Sequence, residues 1–178
     1  MLGVNAQPET LAALRAEFGN WVEESRQHTD DYGETLDGRA RFDLEPGHSA
    51  ERPALRRVQS PEEVSDIYAG VMRGARTVDL VANLIGPAIR FHHGKVNSKL
   101  PGAATKVKFH QDFTFQPMTN DDMITALLFV DEVTAGALAC LDIRNPRDQC
   151  PVFFKEFFHL LIIIVLSQIG NHHVLLLN

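Results

Sequence analysis

Cysteine is nearly absent from this 178-residue chain: only Cys140 and Cys150 occur. They stand ten apart, outside any zinc-like spacing, so a disulfide framework is not expected and a reducing compartment, the cytoplasm, is the default. Basic charge is also short. The formal net charge of -6 argues against nonspecific nucleic-acid binding. Met1 to Gln7 carries neither a basic start nor an apolar core, so no secretory signal is expected. The longest apolar run, Phe157 to Leu166, falls short of the roughly 20 residues of a spanning helix, and Lys155 and Glu156 precede it. A membrane anchor is therefore not expected. No internal repeat is visible. Apolar content of 44% and charged content of 22% fit one globular domain with a sizeable core.

The most informative stretch is Lys106 to Phe115, which alternates residue by residue. Val107, Phe109, Phe113 and Phe115 fall on one face of a strand, and only Gln111 breaks that row. Lys106, Lys108, His110, Asp112 and Thr114 fall on the other. His110 and Asp112 thus project side by side from a strand whose reverse face is built for a core. An imidazole and a carboxylate so placed can grip one divalent metal, and they make two of the three ligands of a 2-His-1-carboxylate iron site. The plainer alternative is a partly exposed strand with a satisfied histidine. Spacing alone is weak: with eight histidines, His-x-Asp arises by chance in about one of every two such chains. His28-Thr29-Asp30 is such a chance copy, set in a polar run without alternation, and reads as a solvated helix end and turn.

Helices come first along the chain. Leu11, Leu14, Phe18, Trp21 and Val22 recur at helical spacing between Pro8 and Arg26. Residues 27–59 are polar and turn-rich, a long excursion with a short strand at Arg39–Phe42. Ser60-Pro61-Glu62-Glu63 has the form of a capping box and predicts a helix with Val64, Ile67, Tyr68 and Val71 as its stripe. A second short helix spans Thr77 to Ile85, stopped by Gly86-Pro87. Strands follow: Ile89 to Leu100, with His93, Lys95, Asn97 and Lys99 on one face, then Lys106 to Gln116, then the apolar Met123 to Val130. His92-His93 reads as a packing and surface pair, because neighbouring strand residues point to opposite faces. Acidic pairs such as Glu62-Glu63 and Asp121-Asp122 read as helix-start and turn solvation. Helices first and strands afterwards predict an α+β fold or a sandwich with helical decoration.

Leu84-Ile85-Gly86-Pro87, Phe91-His92-His93-Gly94-Lys95-Val96-Asn97-Ser98-Lys99-Leu100-Pro101-Gly102, Phe109-His110-Gln111-Asp112 and Asn120-Asp121-Asp122 together resemble the phytanoyl-CoA dioxygenase family, from about residue 60 to 134. The resemblance implies a double-stranded β-helix (a jelly roll), bound Fe(II), 2-oxoglutarate as co-substrate, O2, and hydroxylation of an aliphatic carbon of a small or acyl substrate. By position it makes His110 and Asp112 iron ligands, and it makes Lys99, with Asn97 facing the same side, the group that meets 2-oxoglutarate. A dianion needs cationic donors, and Lys95, Lys99, Lys106 and Lys108 lie on faces that could serve.

The likeness stops after Thr134-Ala135-Gly136-Ala137-Leu138. A third iron ligand and a later basic residue are expected beyond that point. The only later histidines are His159, His172 and His173, and none sits in a family context. The chain thus divides at 1–138 and 139–178. The first part carries the N-terminal helices and the opening of the jelly roll. The second is a divergent apolar tail in place of the distal strands. The competing expectation is an inactive, shortened family member that binds metal weakly or self-associates through the apolar tail.

Overall fold

The computed structural model describes residues 7–99, 123–131 and 159–168. Within them three helices cover one face of a six-stranded antiparallel sheet, an α+β architecture as the sequence predicts. The chain runs α1 (Pro8–Ser25), β1 (Tyr32–Glu34), β2 (Ala40–Leu44), β3 (Leu55–Gln59), a 3-10 turn (Pro61–Glu63), α2 (Asp66–Met72), α3 (Ala75–Ile85), β4 (Ile89–Lys99), β5 (Met123–Phe129) and β6 (His159–Gln168). The strand order is β1-β2-β3-β4-β6-β5.

The α1 stripe lands as its spacing requires. Leu14, Phe18 and Trp21 are buried, and Leu11 and Val22 pack against the same core. That core is completed by Phe42, Leu55, Val58, Tyr68, Met72, Val81, Val96, Val130, Ile162 and Ile164. The Tyr68 hydroxyl donates to the Leu14 carbonyl at 2.9 Å, tying α2 to α1, and burial pushes its pKa up. Trp21 packs against Phe42 and Tyr68 in tilted arrangements, with ring centroids 5.9 and 5.0 Å away.

The excursion at 27–59 is in fact a meander of three short strands, β1 to β3. Its turn-rich composition masked them. The strand expected at Arg39–Phe42 overlaps β2, which starts one residue later and ends two residues later. The capping box at Ser60 does not form. Ser60 sits in the left-handed region at φ 43° and its side chain caps nothing. Glu63 is drawn away, accepting from Arg41 Nη2 at 2.6 Å and from the Leu36 amide. The helix begins instead at Ser65, whose side chain accepts from the Tyr68 amide.

The apolar run of the tail becomes β6, and it lies inside the sheet. It pairs with β4 from Ile89↔Gln168 to Lys99↔His159, and with β5 from Met123↔Ser167 to Phe129↔Leu161. It is thus a central strand, with β4 on one edge and β5 on the other. Among the described residues, no helix is long and apolar enough to cross a membrane.

Candidate functional site

The two faces of the sheet differ in chemistry. On β4, Val96 is fully buried beneath the helices, while Lys95, Asn97 and Lys99 lie on the reverse face and are half-buried. This is the alternation expected for Ile89 to Leu100. Register carries the reverse face across the strands: Asn97 pairs with Arg57, and Arg57 with Asp43, so Asp43, Arg57 and Asn97 form one row over β2, β3 and β4. Gln59 and Lys95 make the next row. On β5, Ile124, Ala126 and Leu128 pack into the core, and Leu127 on the other face is exposed.

Charge is concentrated on this reverse face. β2 buries Arg41 and Asp43, and Glu45 just beyond its end is buried too, and buried charges persist only with partners. Asp43 Oδ2 accepts from Arg57 Nε at 2.7 Å and from Arg56 Nη2 at 3.1 Å. Lys99 is pushed below the ordinary lysine range, first by burial, then by the nearby Arg56 and Arg57 guanidiniums, with Glu45 opposing. Lys99 and Asn97 stand on the same face at one end of β4, an amine beside an amide.

His110 and Asp112 lie outside the described residues. Among those described, no group of three His, Cys, Asp or Glu side chains is arranged to hold a metal ion. The donor set of His110 and Asp112, an imidazole and a carboxylate, suits Fe(II) on chemical grounds. His159 is described by its backbone alone, and register sets it directly opposite Lys99.

The His92-His93 pair departs from the expectation. The β4–β6 register slips between Phe91 and His93, so a bulge sits at His92 and the alternation breaks there. The two imidazoles meet instead of diverging, Nδ1 to Nδ1 at 2.9 Å. They line a cleft of about 470 Å3 with Leu36, Asp37, Arg39, Ser60, Glu62 and Glu63. Lys99 lies six residues further along the strand from His93, about 20 Å away, so this cleft is distinct from the Lys99 end.

The solvation assigned to Glu62 also fails on one oxygen. Its Oε2 is buried without a hydrogen bond of good geometry, and burial raises its pKa above the ordinary 4.5. The folded chain therefore holds this proton to higher pH than the unfolded chain does. Stability from this group is fully present below pH 4.5 and is lost as pH rises through the folded value. Glu62→Gln is expected to raise the melting temperature at pH 7 by about 3 °C and to leave it unchanged at pH 4, as read by thermal unfolding at both pH values.

Arg57 and Asp43 are the residues that sequence reasoning missed. Two adjacent arginines in Leu55-Arg56-Arg57-Val58-Gln59 disguise the strand as polar loop. The signal was the pair of apolar residues, Leu55 and Val58, flanking them.

No family model matches the chain. It is 43% identical over 89 residues to the "Probable alpha-ketoglutarate-dependent hypophosphite dioxygenase" of Stutzerimonas stutzeri, a match covering 49% of this chain and 31% of that protein. The chain thus spans about a third of the curated relative it matches. Among solved structures it is similar to EctD from S. alaskensis with bound Fe, with a TM-score of 0.61 and 15% identity over 94% of this chain and 71% of that one. It is also similar to EvdMO1, with a TM-score of 0.60 and 16% identity over 94% of this chain and 46% of that one. At these identities the structural likeness is one of fold.

Proposed function

We propose that the chain is an Fe(II)- and 2-oxoglutarate-dependent dioxygenase of the phytanoyl-CoA dioxygenase type, acting with O2 on a small-molecule substrate. The observation that carries this reading is the 43% identity to a protein named as an alpha-ketoglutarate-dependent dioxygenase. The half-buried cation of Lys99 beside Asn97, on the face away from the helices, supports it. In this reading the sheet is one wall of a jelly roll, and its reverse face is the wall of the cavity.

His110 and Asp112 hold the iron, and Lys99 and Asn97 take a carboxylate of 2-oxoglutarate. When bound, the iron with its co-substrate supplies the oxidising power for oxygenation. The chain's own residues bind and orient. The Lys99 amine is already half-buried, so an arriving carboxylate displaces less water than at an exposed lysine and meets a strengthened attraction. Asn97, two residues along, can donate its amide to the same anion. His159, His172 and His173 are the candidates for the third ligand, and His159 is favoured because its backbone stands across from Lys99. The resemblance suggests an aliphatic carbon as the site of hydroxylation, while the curated relative's name brings a small phosphorus oxyanion into the substrate class.

Turnover of 2-oxoglutarate to succinate, assayed with Fe(II) and ascorbate, tests the reading. His110→Ala is expected to reduce it by more than about 100-fold, since losing even an outer partner of a metal ligand costs 10–100-fold. Soluble, folded wild-type protein that consumes no 2-oxoglutarate supports the alternative, an inactive family member in which residues 139–178 replaced the distal strands. His159→Ala, compared with His172→Ala and His173→Ala, separates the three candidates for the remaining ligand.

A further inference from the structure

Arg57 is held at one edge only. Its Nε donates to Asp43 Oδ2 at 2.7 Å, and among the described residues no partner takes its two terminal nitrogens. A guanidinium is planar, so fixing Nε fixes where the other edge points. Asp43 is itself buried, with 7% of its surface exposed, and also accepts from Arg56. The anchor is therefore rigid, and the remaining Nη1–Nη2 edge is a fork matched to a carboxylate or a phosphorus oxyanion.

The surroundings favour an anion. Arg57 is the register partner of Asn97 on the face away from the helices, and Lys99 lies two residues along the same strand. Lys99, Arg56 and Arg57 stand against the carboxylates of Asp43 and Glu45, three cationic groups against two. Arg56 and Arg57 keep only about a quarter of their side-chain surface exposed. An unfilled guanidinium edge so sheltered exchanges little water for a ligand oxygen.

The geometry points to Arg57, positioned by Asp43, as a binding residue for a small oxyanion lodged beside Asn97 and Lys99. This rests on the dioxygenase reading only for the source of the anion, which is either the distal carboxylate of 2-oxoglutarate or the substrate itself. The chemistry of the site is the same in both.

The test uses the full chain without metal, in constant 100 mM chloride, with glutarate and inorganic phosphite as separate calorimetric probes. At least one probe is expected to bind, and Arg57→Ala to weaken it at least 10-fold. Arg57→Lys, which keeps a charge but loses the fork, is expected to weaken it several-fold. Arg52→Ala, an exposed arginine elsewhere, is expected to change nothing. Loss confined to glutarate assigns Arg57 to the co-substrate, and loss confined to phosphite assigns it to the substrate. If Arg57→Ala does not fold, the Arg57→Lys comparison decides. Wild-type protein that binds neither probe, or a folded variant that keeps wild-type affinity for both, overturns the proposal. Because the measurement needs no iron and no turnover, an inactive protein whose oxyanion binding depends on Arg57 would refute the dioxygenase reading and leave this site standing.

Discussion

Ending the chain after Phe158 is expected to leave a protein that does not fold. Removing β6 takes out the strand that joins β4 to β5, so both lose their ladders along its length. Ile162 and Ile164 go with it, at 0% and 1% exposure. Each buried isoleucine contributes about 1.5–3 kcal/mol, so these two alone supply about 3–6 kcal/mol. The ladder hydrogen bonds on both sides and the β5 side chains that reach the core through β6 add to this. Together the loss approaches the whole stability of a typical domain, about 5–15 kcal/mol. Circular dichroism with a urea titration reads the outcome: the shortened chain is expected to show no cooperative transition. A cooperative transition with native-like dichroism would mean that β6 is dispensable.

Arg41→Met is the second large effect. The Arg41 side chain is 6% exposed and binds four oxygens. Nη1 donates to the carbonyls of Gln59 and Ser60, and Nη2 to the Glu34 carbonyl and Glu63 Oε2. It therefore joins β1, β2 and the end of β3 to the 3-10 turn. Breaking a buried pair from one side leaves an uncompensated carboxylate and costs about 3–5 kcal/mol. In a domain of this size that lowers the melting temperature by about 10 °C. Adding Glu63→Leu is expected to recover much of the loss, because the orphaned charge goes too. A double variant as unstable as the single one would locate the effect in the lost carbonyl contacts instead.

The amphipathic stripe of α1 was legible because Leu14, Phe18 and Trp21 recur at the helical period. The alternation of β4 was legible because Val96 separates polar neighbours. The capping box at Ser60 misled because a local signal met a long-range competitor: Glu63 is worth more paired to buried Arg41 than closing a helix turn. β1 and β3 escaped notice, and β2 was seen only in part, because the meander carries charges, Arg41 and Asp43 buried on β2 among them, where a strand pattern expects apolar residues. Those buried charges report a second, polar face to the sheet, which composition alone does not reveal. His92 and His93 meet because a bulge cancels the rule that neighbours diverge. Of the proposed site, the placement of Lys99 and Asn97 on one face was visible in the β4 pattern. Arg57 joins it only through cross-strand register, which no single strand encodes.

Anaerobic addition of Fe(II) to the protein mixed with 2-oxoglutarate, followed in the visible spectrum, addresses the proposed iron site most directly. A metal-to-ligand charge-transfer band is expected with the wild-type chain, absent in His110→Ala and in Asp112→Ala, and weakened in Lys99→Met. Folded wild-type protein that develops no band, or a band that survives in both ligand variants, would contradict the account.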